Sequence, residues 1–257
     1  MNKIKLLTVT LLFVLCSYTQ VLAQETITLG SGEWSPYFSE KLMYYGVTSR
    51  VVSEAFASEG FDVKYAFRPW KRSMEEAKKG KWVGTPGWSK NDERQKDFYY
   101  SEPIAQEENV FFYVKGTGFK WDNIGDLAKY KIGAIKGYSY GEEIDSADKN
   151  GSIKVQRIGE ELANFKKLLA GRVDVVLNNL DTGYNTILKN LSPEEAARIT
   201  HYTKVVNSRP LYLLISKKAD NSEALRDSFN KGLAKLKEGG QYEQYHEESR
   251  QGKYKEK

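Results

Sequence analysis

Gly137-Tyr138-Ser139-Tyr140-Gly141 matches the pattern G-x-S-x-G, in which a sharp turn between strand and helix exposes a nucleophilic serine. The acid and base that such a serine needs would follow in order as Asp181 and then His201 or His246. The match is short, and no HGGG-type segment precedes it to supply an oxyanion hole. The same turn has a second use: after a strand and before a helix, its free N–H groups can meet a carboxylate or another anion, with Tyr138 and Ser139 at the contact. His201 follows the helix-like Pro193 to Arg198, and His246 lies in a polar tail. Both are expected to be exposed rather than catalytic or metal-binding.

Aromatic rings are the other chemical resource. Five Trp, 17 Tyr and 11 Phe make the chain 13% aromatic, enough for stacking surfaces as well as a core. Trp34, Tyr37 and Trp70 follow expected strand ends or precede helices, and ligand crevices in open α/β sheets lie beyond the carboxyl ends of strands. With Trp88, Tyr138 and Tyr184 they would suit a flat or cationic ligand. The same rings could equally pack a core. One Cys and two His cannot build a Cys-rich zinc site or a disulfide, so neither a metal nor a cofactor is assigned.

With 257 residues, 40% hydrophobic and 28% charged, the chain fits one or two soluble domains, not a disordered or multi-span protein. Lys3 and Lys5, the apolar run Leu6 to Leu15 and the small residue at Ala23 predict a secretory signal peptide over 1–23. Cleavage there removes Cys16 and leaves a thiol-free chain suited to the periplasm. Cys16 follows Leu15, not the small residue that usually precedes a lipid-accepting cysteine. The net charge of +5 is small, and Lys78-Lys79 and 253-KYKEK-257 are interleaved with acids. This describes a solvated surface, with no nucleic-acid partner.

Strand-like and helix-like segments alternate. Glu25 to Leu29, Phe61 to Phe67 and Val83 to Trp88 read as strands, with helices at Val47 to Ser58 and Pro69 to Lys79 between them. Val110 to Val114 is an apolar strand, and a second unit follows with strands at Lys131 to Ile135, Ile153 to Arg157 and Val173 to Leu177 and a helix at Glu160 to Leu169. The apolar strand Leu211 to Ile215 and the amphipathic helix Ser222 to Glu238 close the pattern. This is an α/β architecture of two wound units sharing a cleft, without a repeat or a low-complexity linker.

The stretches 32-GEWSPY-37, 68-RPWKR-72, 87-GWSKNDERQKDFYYSEPI-104, 132-IGAIKGYSYGEE-143 and 171-GRVDVVLNN-179 resemble, in order, family 3 of the extracellular solute-binding proteins. These are the polar amino-acid binders of ABC importers. The resemblance implies the periplasmic binding protein type 2 fold, a two-lobe clamp with two hinge strands placed at Val110 to Val114 and Leu211 to Ile215. Lobe 1 would comprise 24–114 and 209–257, and lobe 2 would comprise 115–208. It also implies a monomer that closes on a small polar ligand, an amino acid or related carboxylate, and docks on a permease or a receptor ectodomain. A periplasmic dehydratase of the cyclohexadienyl type and a ligand-sensing module are the other functions the resemblance allows.

The resemblance also places a site. Arg94 stands where similar proteins carry the arginine that grips the ligand carboxylate, a role suited to a planar, permanently charged guanidinium. Ser89 offers backbone and hydroxyl groups, Trp88 lines the cleft, and Tyr138 and Ser139 belong to a ligand-contacting turn. After GRVDVVL these binders typically carry an Asp that pairs with the ligand ammonium, and here the residue is Asn179. A neutral amide cannot supply that ion pair. Either Asp181 or Glu33 takes over, or the ligand is not a standard α-amino acid. Asn179 could also simply cap the strand end.

Overall fold

The computed structural model describes residues 25–257, so the expected signal peptide lies outside the described residues. The first wound unit runs β1 (Glu25–Ser31), α1 (Val47–Ala57), β2 (Phe61–Phe67), α2 (Trp70–Lys78) and β3 (Gly84–Trp88). α1 forms because Val47, Val51, Val52, Ala55 and Phe56 fall on one helical stripe, and all five are fully buried. β1 lies between β2 and β3, parallel to both.

A long strand β4 (Phe98–Val114) leads to the second unit, which comprises β5 (Lys131–Ile135), α3 (Glu142–Lys149), β6 (Lys154–Ile158), α4 (Glu161–Leu169) and β7 (Val175–Asn179). There β5 lies parallel to both β6 and β7. The chain continues through α5 (Leu180–Asn190), α6 (Pro193–Arg198) and β8 (Ile199–His201), returns along β9 (Asn207–Ser216), and ends in α7 (Ser222–Glu238) and α8 (Gln241–Arg250). One sheet threads everything in the order β2-β1-β3-β9-β4-β7-β5-β6, with β8 beside β4.

The two middle strands join the halves. β4 and β9 pair antiparallel from Phe98 opposite Ser216 to Asn109 opposite Asn207. Beyond that point β4 pairs with β7 and β8. A first core gathers Leu29, Phe56, Ile104, Leu213 and Phe229. The second half has a core on each sheet face, and β4's alternation feeds both: Phe111 packs with Ile132 and Leu177, whereas Val110 and Phe112 pack with Phe165 and Ile187.

Three elements differ from the expectations. The strand expected at Val110 to Val114 is the end of a 17-residue strand. Its earlier part was hidden by the run Gln106-Glu107-Glu108-Asn109, which holds its place through pairing with β9 instead of side-chain burial. α5 has Gly183 in its interior, but Leu180, Tyr184 and Ile187 fall on one helical face and pack into the second half's core. It starts because Asn179 caps it, with Oδ1 accepting the Thr182 N–H at 2.9 Å. The expected polar tail is α8, which buries Tyr245, His246 and Ser249.

Candidate functional site

β1 ends where a short loop folds back on itself, with the backbone of Trp34 and Phe38 exchanging hydrogen bonds of 2.8 and 2.9 Å. The loop leaves Trp34 half-buried and sends Tyr37 inward, the two ring centroids 4.8 Å apart. The Tyr37 hydroxyl donates to Asn179 Oδ1 at 3.1 Å, and Ser35 Oγ reaches Asn185 Oδ1 at 3.5 Å. These bonds tie the loop after β1 to α5 and its cap across the middle of the molecule. Burial, and next the charge of Asp181, holds the Tyr37 phenol well above its ordinary range, so it remains a donor.

Beside this bridge lies a cavity of about 480 Å³. Trp34 and Ser35 line it from one half. From the other come Tyr138 and Ser139 after β5, Glu161 at the start of α4, Asn179 at the end of β7, and Thr182, Asn185 and Thr186 on α5. Glu107 and Arg209, directly opposite each other on β4 and β9, complete it. The Arg209 guanidinium donates to Glu107 through Nε at 2.9 Å and also through Nη2. Glu161 is held differently: Oε1 accepts from Thr182 Oγ1 at 3.3 Å and Oε2 from Thr186 Oγ1 at 2.7 Å.

The turn after β5 is pinned from below by Arg157, which donates to the Tyr138 carbonyl at 2.7 Å and to Asp145 Oδ1 at 3.0 Å. Ser139 Oγ donates to Asp145 Oδ2. Burial pushes the Asp145 carboxyl upward, but Ser139, the Tyr140 N–H and Arg157 together hold it below its usual range. The hydroxyl of the G-x-S-x-G serine is therefore engaged by a carboxylate. The two histidines have other neighbours: His201 Nδ1 is 2.7 Å from the Tyr184 hydroxyl, and His246 Nδ1 is 3.9 Å from Asp181.

The expected site residues divide into two groups. Trp34, Tyr138, Ser139 and Asn179 line the cavity, and Tyr37 stands behind Asn179. Trp70, Trp88, Ser89 and Arg94 form a separate cluster that does not line it. Trp70 packs edge-on against Trp88 at 5.4 Å, and Arg94 lies over the Trp88 ring at 4.8 Å and donates to the Ser89 carbonyl at 2.9 Å. Neither substitute acid for position 179 faces the cavity. Glu33 is exposed and accepts the Glu40 N–H at 2.8 Å. Asp181 is buried and paired with Arg250 Nε of α8 at 2.7 Å.

His246 corrects an expectation, since it is only 6% exposed. On α8 it faces α5 instead of solvent, and His201 is half-buried beneath Tyr184. Burial lowers both pKa values from the ordinary 6.5; at His246 Asp181 works against this, and at His201 Arg250 adds to it. The unfolded chain thus binds more protons below that pH, so stability is complete above about pH 6.5 and falls as the solution is acidified. Urea midpoints taken from about pH 7.5 to 5.5 should decline with acidification, and His246→Gln should flatten the decline. An equal slope in wild type and variant would reject the assignment to His246.

A family model, bacterial extracellular solute-binding proteins, family 3, matches residues 27–249. The chain belongs to that family.

Solved structures agree in fold. The second substrate-binding domain of a putative amino acid ABC transporter from Streptococcus pneumoniae aligns over 87% of this chain and 99% of its own, at 16% identity and a TM-score of 0.72. Substrate-binding domain 2 of Lactococcus lactis GlnP covers 88% and 95% at 17% identity, with a TM-score of 0.72. The L-cystine solute receptor of Neisseria gonorrhoeae covers 84% and 89% at 19% identity, with a TM-score of 0.69. No curated protein sequence matches the chain. Among the described residues of this family 3 protein, no helix is long and apolar enough to cross a membrane.

Seven cavity residues of this solute-binding protein escaped sequence reading, among them Ser35 beside Trp34 and Arg209 opposite Glu107. Thr182, Asn185 and Thr186 stand at i, i+3 and i+4, a polar stripe on one helix face whose spacing was visible once α5 was recognised. Glu161 opens a helix just beyond a strand, the same position that singled out Tyr138. Glu107 lies in the polar run Gln106-Glu107-Glu108-Asn109, and its register opposite Arg209 places it at the cavity.

Proposed function

We propose that the protein is a periplasmic clamp that closes on a small polar ligand, an amino acid or a related carboxylate, and delivers it to the permease of an ABC importer. One observation carries this reading: a cavity lined from both halves, beside direct contacts between them, with β4 and β9 as the connections. Hinge closure around a ligand needs that layout. In this reading lobe 2 is the inserted unit. We place the changeover near Glu107 and Ser208, ahead of the 114/115 border, because Val110 to Phe112 pack with the second half.

Trp34 and Tyr138 offer ring faces to the ligand, and Ser139 and Asn179 offer polar atoms. Arg94 makes no ion pair among the described residues, which leaves its guanidinium for a ligand carboxylate as the lobes swing together. The test is a thermal-shift screen of the purified protein against amino acids, amines, small carboxylates and prephenate, with hits followed by small-angle scattering. A true ligand raises the melting temperature and shrinks the particle. Trp34→Ala should weaken the hit about tenfold through lost stacking. Unchanged affinity in that variant would remove the cavity from the reading, and turnover of prephenate would make the protein an enzyme.

A further inference from the structure

We infer that Glu161 receives the cationic nitrogen of the ligand, in place of the acid expected at position 179. This rests on the clamp reading above. The cavity is lined by two carboxylates and one guanidinium. Glu107 and Arg209 neutralise each other across the two linking strands. Glu161 is then the cavity's uncompensated charge, since its partners among the described residues are two neutral hydroxyls.

Those hydroxyls position the group without satisfying it. An ionised carboxylate offers about four acceptor sites, and Thr182 and Thr186 occupy one on each oxygen. The remaining sites are free for the N–H groups of an ammonium or guanidinium. Trp34 and Tyr138 line the same space, and Tyr138 is 57% exposed, so a ring face is available to the same cation. The other acids are excluded by their partners: Asp181 is bound to Arg250 outside the cavity, and Glu33 accepts from the Glu40 backbone. Asn179 Oδ1 already receives the Tyr37 hydroxyl and the Thr182 N–H.

The ligand class that follows bears a positively charged nitrogen, either an α-ammonium or a side-chain guanidinium. Titration calorimetry with L-arginine, L-glutamine, agmatine and succinate separates these. Binding of L-glutamine identifies the α-ammonium as the group held, and binding of L-arginine without L-glutamine identifies the side-chain guanidinium. Binding of agmatine, which has two charged nitrogens and no carboxylate, supports the cation subsite in either case. Glu161→Gln should weaken the bound cation on the order of a hundredfold, because a desolvated charge loses its partner. Its urea midpoint should hold, since the amide oxygen still accepts from a threonine. Equal affinity in wild type and E161Q overturns the inference. So does binding of succinate alone, although the clamp reading survives if the particle also shrinks. Failure of all four probes to bind rejects the inference, and the clamp reading falls with it only if the wider thermal-shift screen also yields no ligand.

Discussion

Arg250→Ala lowers the unfolding free energy by about 3 kcal/mol at neutral pH. The Asp181 side chain is only 3% exposed, and Arg250 Nε sits 2.7 Å from its Oδ1. Removing the guanidinium leaves a buried carboxylate without its cation, which typically costs about 3–5 kcal/mol. The lower end applies because Arg250 is 29% exposed, so water can approach the vacated space. Both groups also sit at favourable helix ends, Asp181 in the first turn of α5 and Arg250 in the last turn of α8. Asp181→Asn should cost less than Arg250→Ala, because the charge disappears together with its partner's role. Urea denaturation followed by tryptophan fluorescence measures both. A loss below about 1 kcal/mol for Arg250→Ala would mean the pair behaves as a surface salt bridge.

Phe112→Ala should be at least as damaging, at about 3–5 kcal/mol. The ring is fully buried on β4, edge-on to Phe165 and Tyr184, both at 5.3 Å. It also fills the space left by the missing side chain of Gly183, where a Cβ would lie 2.5 Å from a ring carbon. α5 is thereby seated close to the sheet, which points Thr182, Asn185 and Thr186 into the cavity. The variant should therefore lose ligand affinity along with stability, a pairing that calorimetry and denaturation on one sample would detect. Gly183→Ala should reproduce part of this from the other side of the contact. If Phe112→Ala lost stability but kept full affinity for its ligand, the seating of α5 would not matter to the site.

The parts of this fold that sequence could reveal are those where burial writes a period into the chain. α1 shows its stripe of Val47, Val51, Val52, Ala55 and Phe56, and β5 and the far end of β4 show apolar runs. The same logic fails for α8, whose buried side includes Tyr245, His246 and Ser249, residues with polar tips. It fails for the centre of β4, where Glu107 and Glu108 are fixed by backbone pairing. For the site, position after a strand pointed to Trp34, Tyr138 and Ser139, and the family resemblance pointed to Asn179. Glu161 and the α5 stripe carry local marks, a helix start after a strand and an i, i+3, i+4 spacing, but that both face one cavity depends on which helices the topology brings side by side.

The two long middle strands also govern the order in which the protein can be completed. β3 lies against β9, and the first core draws on Leu213, Leu225 and Phe229 as well as on Leu29 and Phe56. The amino-terminal half therefore has its apolar faces covered only with β9 and α7 in place. The inserted half, by contrast, meets its own strand partners β5, β6 and β7 within a short stretch of chain. Contacts of such long sequence separation carry the largest loop-closure cost, so the first half is the part whose assembly is slowed most by topology.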